Sequence, residues 1–177
     1  MSNLMDYLDW RGDLTFREAP FNEVDNLILA QLVYVEFAGI VTAPGEEGTI
    51  TVKEACERFF AAHDRKEIME RVSMTKTAAF VLEKMAQTQR FCNAQLFGYI
   101  NDISKEEQSQ FSVVCVRLDD KSIYVSFSGT DNTIVGWREN FNMGYLSETP
   151  GQLKAVDYLN HMVKEDWKKI RVGGHSK

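Results

Sequence analysis

Between Phe21 and Val41 the residues Val24, Leu27, Ile28, Gln31, Leu32 and Val35 recur at spacings of three and four. That is the period of one helical face, so the segment predicts a helix with Asn22 as its N-cap. The stretch "APGEEGTI" that follows is rich in turn and breaker residues, and Thr51 with Glu54 forms a capping box ahead of "EACERFFAAH", a second helix. A third is predicted over Thr75–Gln89, where Ala78, Ala79, Val81, Leu82, Met85 and Ala86 stand among good helix formers. After Arg90 the pattern changes. "QLFGYIND", "QFSVVCVRL" and "KSIYVSFSG" are short runs of Val, Ile, Phe and Tyr, which predict consecutive strands, the last two joined as a tight hairpin. Pro150 and Gly151 then introduce "QLKAVDYLNHMVKEDW", helical in period, and "KKIRVGG" is a short strand able to pair in parallel.

This order predicts an α/β fold in which residues 1–95 are mainly a helical lead and 96–177 carry a sheet of about four strands. A strand that ends in a turn with no helix behind it cannot be held at a chain end. The 177 residues are therefore expected to form one incomplete domain, the first half of a larger sheet.

Composition narrows the partners. The content of 44% hydrophobic and 26% charged residues suits a soluble globular chain. The formal charge of -6 repels polyphosphate, and no basic stripe stands out, so nucleic acid is not an expected partner. Cys56, Cys92 and Cys115 are odd in number and widely spaced, which predicts reduced, buried thiols and a cytoplasmic setting. The start "MSNLMDYLDW" lacks the pattern of a secretory leader, and no run reaches the roughly 18 apolar residues that would span a membrane.

The candidate chemistry sits in "RVGGHSK". With one more glycine, Gly174-His175-Ser176-Lys177 would read G-x-S-x-G, the turn that lifts a serine nucleophile between a strand and a helix. Ile170–Gly173 before it is strand-like, as the motif demands, and Gly174, with help from Gly173, suits a turn of unusual backbone angles against a close helix. The plain alternative is a glycine-rich strand end with a surface serine. Upstream, Phe127-Ser128-Gly129-Thr130 leaves a strand for a loop, where acyl-transfer enzymes take one backbone N–H of their oxyanion hole. Thr130 and Lys177 are the candidate donors. The alternative there is a Gly-Thr-Asp turn with Asp131 capping a helix that contains Trp137 and Phe141.

Together these stretches resemble a known family. "FSGTDNTIVGWRENFNM" is similar to F-R-G-T-D-x-T-x-x-G-W-x-x-x-F-N, and the tail to G-H-S-K-G-G, of the uncharacterised bacterial lipase-like α/β-hydrolases related to the class 3 lipases. "WRGDLTFREAPFNEVDNLILAQLVY" resembles that family's opening. The resemblance implies an α/β-hydrolase fold, Ser176 as nucleophile, a small ester or lipid-like substrate, and no metal or cofactor. Two departures follow from it. Ser128 stands where the family signature has arginine, and the triad order Ser, then Asp or Glu, then His finds nothing after Ser176 but Lys177. A serine without its base loses several orders of magnitude in rate, so the 177 residues alone are expected to be nearly inactive.

Stand-ins are not signalled. His63 and His161 fall on helices as surface groups, and His175 is the motif's x. Ser176-Lys177 is not S-x-x-K, the tail is not a P-loop, and "KEDWKKIR" reads as a solvated helix end. The rival to a serine hydrolase is a non-catalytic member that keeps the scaffold for binding or assembly.

Overall fold

The computed structural model describes residues 3–70, 75–104, 106, 109–129, 138, 141–163, 167 and 169–174. Among the described residues four helices begin where short polar side chains close a reciprocal cap. Asn3 Oδ1 accepts from the N–H groups of Met5 and Asp6 at 2.8 and 3.2 Å, and Asp6 accepts from the Asn3 N–H at 2.9 Å. This starts α1 (Leu4–Arg11). Asn22 and Asp25 repeat the device at α2 (Glu23–Gln31), and Thr51 with Glu54 at α3 (Val52–Ala62). α4 (Arg65–Glu70) and α5 (Ala78–Ala86) follow, and Thr149 with Gln152 caps α6 (Pro150–Met162), whose proline occupies the first turn, where no backbone donor is needed.

Five strands make one mixed sheet in sequence order: β1 (Ile50–Thr51), β2 (Gln95–Ser104), β3 (Ser109–Arg117), β4 (Ile123–Phe127) and β5 (Ile170–Gly174). The first four pair antiparallel, while β5 joins β4 in parallel after the chain has passed through α6. Alternation along β3 and β4 divides the interior. Val114, Val116 and Tyr124 face the helical lead with Ile28, Leu29, Leu32 and Leu82. Phe111, Val113, Cys115 and Val125 face α6 with Ala155, Tyr158 and Leu159. On β2 the phase is kept by an irregularity between Phe97 and Ile100, where Gly98 sits at φ +65°. The extra residue lets Phe97 and Ile100 both face α6, and the Gly98 carbonyl accepts from the Tyr158 hydroxyl at 2.6 Å.

Several expectations shift. The helix foreseen from Phe21 to Val41 closes at Gln31, passes through a 3-10 turn at Leu32–Tyr34 and becomes extended at Val35. Leu32, Val33, Val35 and Phe37 are all buried, more than one face of a straight helix can hide, and Gly39 at φ +73° then turns the chain. The third helix is confined to Ala78–Ala86 within the foreseen span. α1 and α4 were not foreseen, nor was β1, whose two residues run straight into the α3 cap. The foreseen end of the last helix is also corrected. α6 stops at Met162 with Val163 extended, and Ile170 and Arg171 of "KEDWKKIR" stand in β5; residues 164–166 and 168 lie outside the described residues.

All three cysteines are free; Cys56 and Cys115 are buried and Cys92 half-buried. Burial pushes the Cys115 thiol up to about 11, against a small opposing effect of the Tyr158 hydroxyl. A raised thiol pKa leaves almost no thiolate at mildly alkaline pH, and the thiolate is the reactive form. Iodoacetamide at about pH 8 should therefore leave Cys115 unmodified in the native protein and modify it in urea. Modification of native protein at the unfolded rate, read by peptide mass, would show that the α6 side of the sheet is open. Among the described residues no helix is long and apolar enough to cross a membrane.

Candidate functional site

Parallel pairing decides what lies at the end of the sheet. β4 and β5 run in register from Ile123 with Ile170 to Phe127 with Gly174, so both strands finish level. The chain leaving β4 at Ser128–Gly129 and the chain leaving β5 after Gly174 therefore depart side by side. In open α/β sheets this carboxyl end is where ligands are held. Of the sequence-derived candidates, Gly174 is thus placed; Thr130, His175, Ser176 and Lys177 lie outside the described residues, as do Asp131 and Trp137.

Both glycines before His175 are needed, but for space rather than for unusual angles. Neither adopts a left-handed backbone. A Cβ on Gly173 would come within 2.0 Å of Tyr124 Oη and 2.6 Å of Asn26 Oδ1, and one on Gly174 within 2.8 Å of the Phe127 carbonyl oxygen. The nearest approach to Gly173 is made by Tyr124 of β4, whose hydroxyl donates to Asn26 Oδ1 of α2 at 2.9 Å. Burial pushes that hydroxyl up to about 12, so it stays a donor at any physiological pH.

The other end of β5 is clamped as well. Arg171 approaches Asp120 Oδ2 at 3.3 Å, donates to Ser122 Oγ and lies 4.2 Å over the Phe21 ring. Burial opposes charge on Asp120, yet its bonds from Ser122 and the Arg171 guanidinium hold the carboxyl below its usual range.

The loop after β4 is anchored before it reaches Thr130. The Ser128 N–H donates to the Ser112 carbonyl at 2.9 Å and the Gly129 N–H to Tyr34 Oη at 2.8 Å. Both amides are committed, so neither can hold an oxyanion. Ser128, in the position of the signature arginine, is 4% exposed, and its hydroxyl, like that of Ser126, has no hydrogen-bond partner among the described residues.

Beside this end of the sheet is an apolar cavity of about 210 Å³, lined by Phe111, Phe127, Ser128, Met143 and, from the first turns of α6, Gly151 and Ala155. A larger cleft of about 560 Å³, with Glu36, Arg58, Tyr99 and Asn101 in its walls, touches neither β4 nor β5. The described histidines are elsewhere. His63 Nδ1 meets the Phe59 carbonyl at 2.9 Å with its ring stacked on Phe59, and His161 Nδ1 meets the Asp157 carbonyl at 2.8 Å on α6. Among the described residues no three His, Cys, Asp or Glu side chains converge as metal ligands would.

Sequence reasoning missed the cavity, whose wall is assembled from β3, β4 and α6, and the Tyr34 anchor on Gly129, for which no motif exists. The steric demand on Gly173 was partly legible in the paired glycines of "RVGGHSK". A family model described as Mbeg1-like matches residues 85–177, which takes in β2 to β5, α6 and the tail. No curated protein and no solved structure matches the chain.

Proposed function

The chain belongs to the Mbeg1-like family, and from that premise we propose that it is a serine hydrolase of α/β-hydrolase fold acting on small or lipid-like esters. The family's description names no reaction, so the site carries the reading. One observation bears most of it: the register of β4 with β5 makes the Ser128–Gly129 loop and the Gly173–Gly174 strand end leave the sheet together. A nucleophile elbow and its oxyanion loop need that relation.

In this reading Ser176 Oγ attacks the ester carbonyl, and N–H groups of Thr130 and Lys177 hold the oxygen as it becomes negative. The engaged amides of Ser128 and Gly129 leave Thr130 as the next donor along the loop. Collapse of the tetrahedral intermediate expels the alcohol, which leaves with a proton from the general acid; water then cleaves the acyl-serine. An imidazole must take the serine proton and a carboxylate must orient it. His63 and His161 are held elsewhere, so both groups would come from residues after Lys177.

Intact mass before and after a fluorophosphonate probe tests the assignment. A protein that carries the triad base and acid after Lys177 should gain one adduct that maps to Ser176, and its Ser176→Ala variant should gain none. An adduct on another serine, or none on protein shown to be folded, would exclude Ser176 as nucleophile, and absence of any adduct would favour a scaffold used for binding.

A further inference from the structure

We infer that the cavity between β4 and α6 is the acyl pocket of this site and that its size confines the substrate to short acyl chains, of about six carbons. This rests on the serine-hydrolase reading for the position of the ester and on the cavity itself for the chain.

The walls exclude most other occupants. Phe111, Phe127, Met143 and Ala155 present hydrocarbon, thioether and aromatic surface. Ser112 adds a hydroxyl already donated to Asn101 Oδ1 at 2.7 Å, and the Gln152 amide points its Nε2 at Met143 Sδ, 3.9 Å away. Among the described residues no charged side chain lines the space, so a phosphate, a sugar or a charged peptide side chain would lose its hydration there without return. An alkyl chain loses nothing polar and gains burial.

Position points the same way. Phe127 is both a wall of the cavity and the register partner of Gly174, so the end of β5 that leads to Ser176 lies beside the cavity. Phe141, Tyr145 and Leu146, each more than half exposed, surround Met143 in the turn before α6 and give the mouth an apolar approach. Space then sets length. At about 30 Å³ for a water-sized group, 210 Å³ admits about seven, a hexanoyl chain with little to spare. A dodecanoyl chain would leave half its length in solvent.

The wall residues also predict opposite changes. Ala155→Leu, conservative for helix α6, puts an isobutyl group into the cavity and removes room for about three groups. Met143→Ala opens the mouth at a partly exposed position. The experiment measures kcat/KM for p-nitrophenyl esters from acetate to dodecanoate with wild-type protein, these two variants and Ser176→Ala, together with hexanoate binding by calorimetry. Wild type should peak at butanoate to hexanoate; Ala155→Leu should lower the hexanoate-to-acetate ratio about tenfold or more and weaken hexanoate binding, and Met143→Ala should move the peak to longer chains. Turnover that needs Ser176 but peaks at dodecanoate, or a profile indifferent to both variants, would overturn the acyl pocket and leave the serine reading intact. Turnover that survives Ser176→Ala, or no turnover at all by a protein that carries the triad base and acid after Lys177, would overturn the serine reading instead. Hexanoate binding sensitive to Ala155→Leu would in that case support the cavity as an acyl site, and indifferent binding would overturn it too.

Discussion

Arg90→Met should cost about 3 to 5 kcal/mol of folding stability, seen as a lower urea midpoint at unchanged slope and a melting temperature reduced by roughly 6 to 20 °C. The Arg90 and Asp25 side chains are both fully shielded from solvent and meet head on, with Nε to Oδ1 at 2.8 Å and Nη2 to Oδ2 at 2.6 Å. Nη1 donates to the carbonyls of Leu14, Thr15 and Ala19 at 2.9, 3.2 and 3.0 Å, and the guanidinium lies 3.9 Å over the Phe16 ring. Methionine fills much of the volume but leaves the Asp25 carboxylate buried with only the Tyr7 hydroxyl, at 3.1 Å, and the Asn22 N–H of the α2 cap, at 2.9 Å. It also removes the Arg90 donor from the Leu14 and Ala19 carbonyls, while the Thr15 carbonyl keeps the N–H groups of Glu18 and Ala19. Removing one partner of a buried pair costs far more than the pair contributes, because the survivor keeps its desolvation penalty.

Asp25→Leu should be comparably damaging, and the double variant should lose less than the two single losses combined, since neither charge is then stranded. A loss under about 1 kcal/mol for Arg90→Met would mean that water reaches the pair, contrary to its burial.

That network shows where sequence stops being informative. The capping box at Thr51 and the N-cap at Asn22 were legible because a helix N-terminus has unsatisfied donors and a fixed spacing to fill them. Asp25 was not foreseen as the partner in the Asn22 cap, and that it reaches Arg90, 65 positions away, follows from how α2 packs, which no periodicity encodes. The strands read correctly for a similar reason. Val113, Val114, Cys115 and Val116 are buried on both faces, and a continuous apolar run is what a covered central strand needs. The run after Gln31 misled because it is mostly apolar, and burial of Leu32, Val33, Val35 and Phe37 fits a 3-10 turn and extended chain as well as a helix.

At the site, glycine pairs and a strand before Ser176 could be read because a backbone constraint leaves a residue-level mark. The cavity could not, because Phe111, Phe127 and Ala155 come from three elements and each alone is an ordinary core position. Unusual angles were expected of the glycines and neither has a left-handed backbone, and a close helix was expected after the turn, whereas the close atoms belong to Tyr124, Asn26 and Phe127. Turn angles are a local property; contact with Tyr124 and Asn26 is a tertiary one.

Gly173→Ala should consequently do more damage than its one methyl suggests, lowering stability by about 1 to 3 kcal/mol and, on the serine-hydrolase reading, kcat/KM by about 100-fold. The new Cβ cannot stay 2.0 Å from Tyr124 Oη, and Tyr124 is fully buried, its ring packed on Phe21 and its hydroxyl bonded to Asn26. Relief must come from β5, the strand with a described partner on one side only, and a shift of about 1 Å at Gly173 is passed to the turn three residues later. Tyr124→Phe should restore part of the loss, since it removes the nearest atom but leaves the ring carbon at 2.8 Å. Gly174→Ala, by contrast, meets the backbone oxygen of Phe127, which no side-chain truncation can withdraw, so Tyr124→Phe should not rescue it. Urea titrations and ester kinetics on these variants separate the two effects. Full activity in Gly173→Ala with unchanged stability would show that α2 does not fix β5, and rescue of Gly174→Ala by Tyr124→Phe would show that the two clashes are not independent.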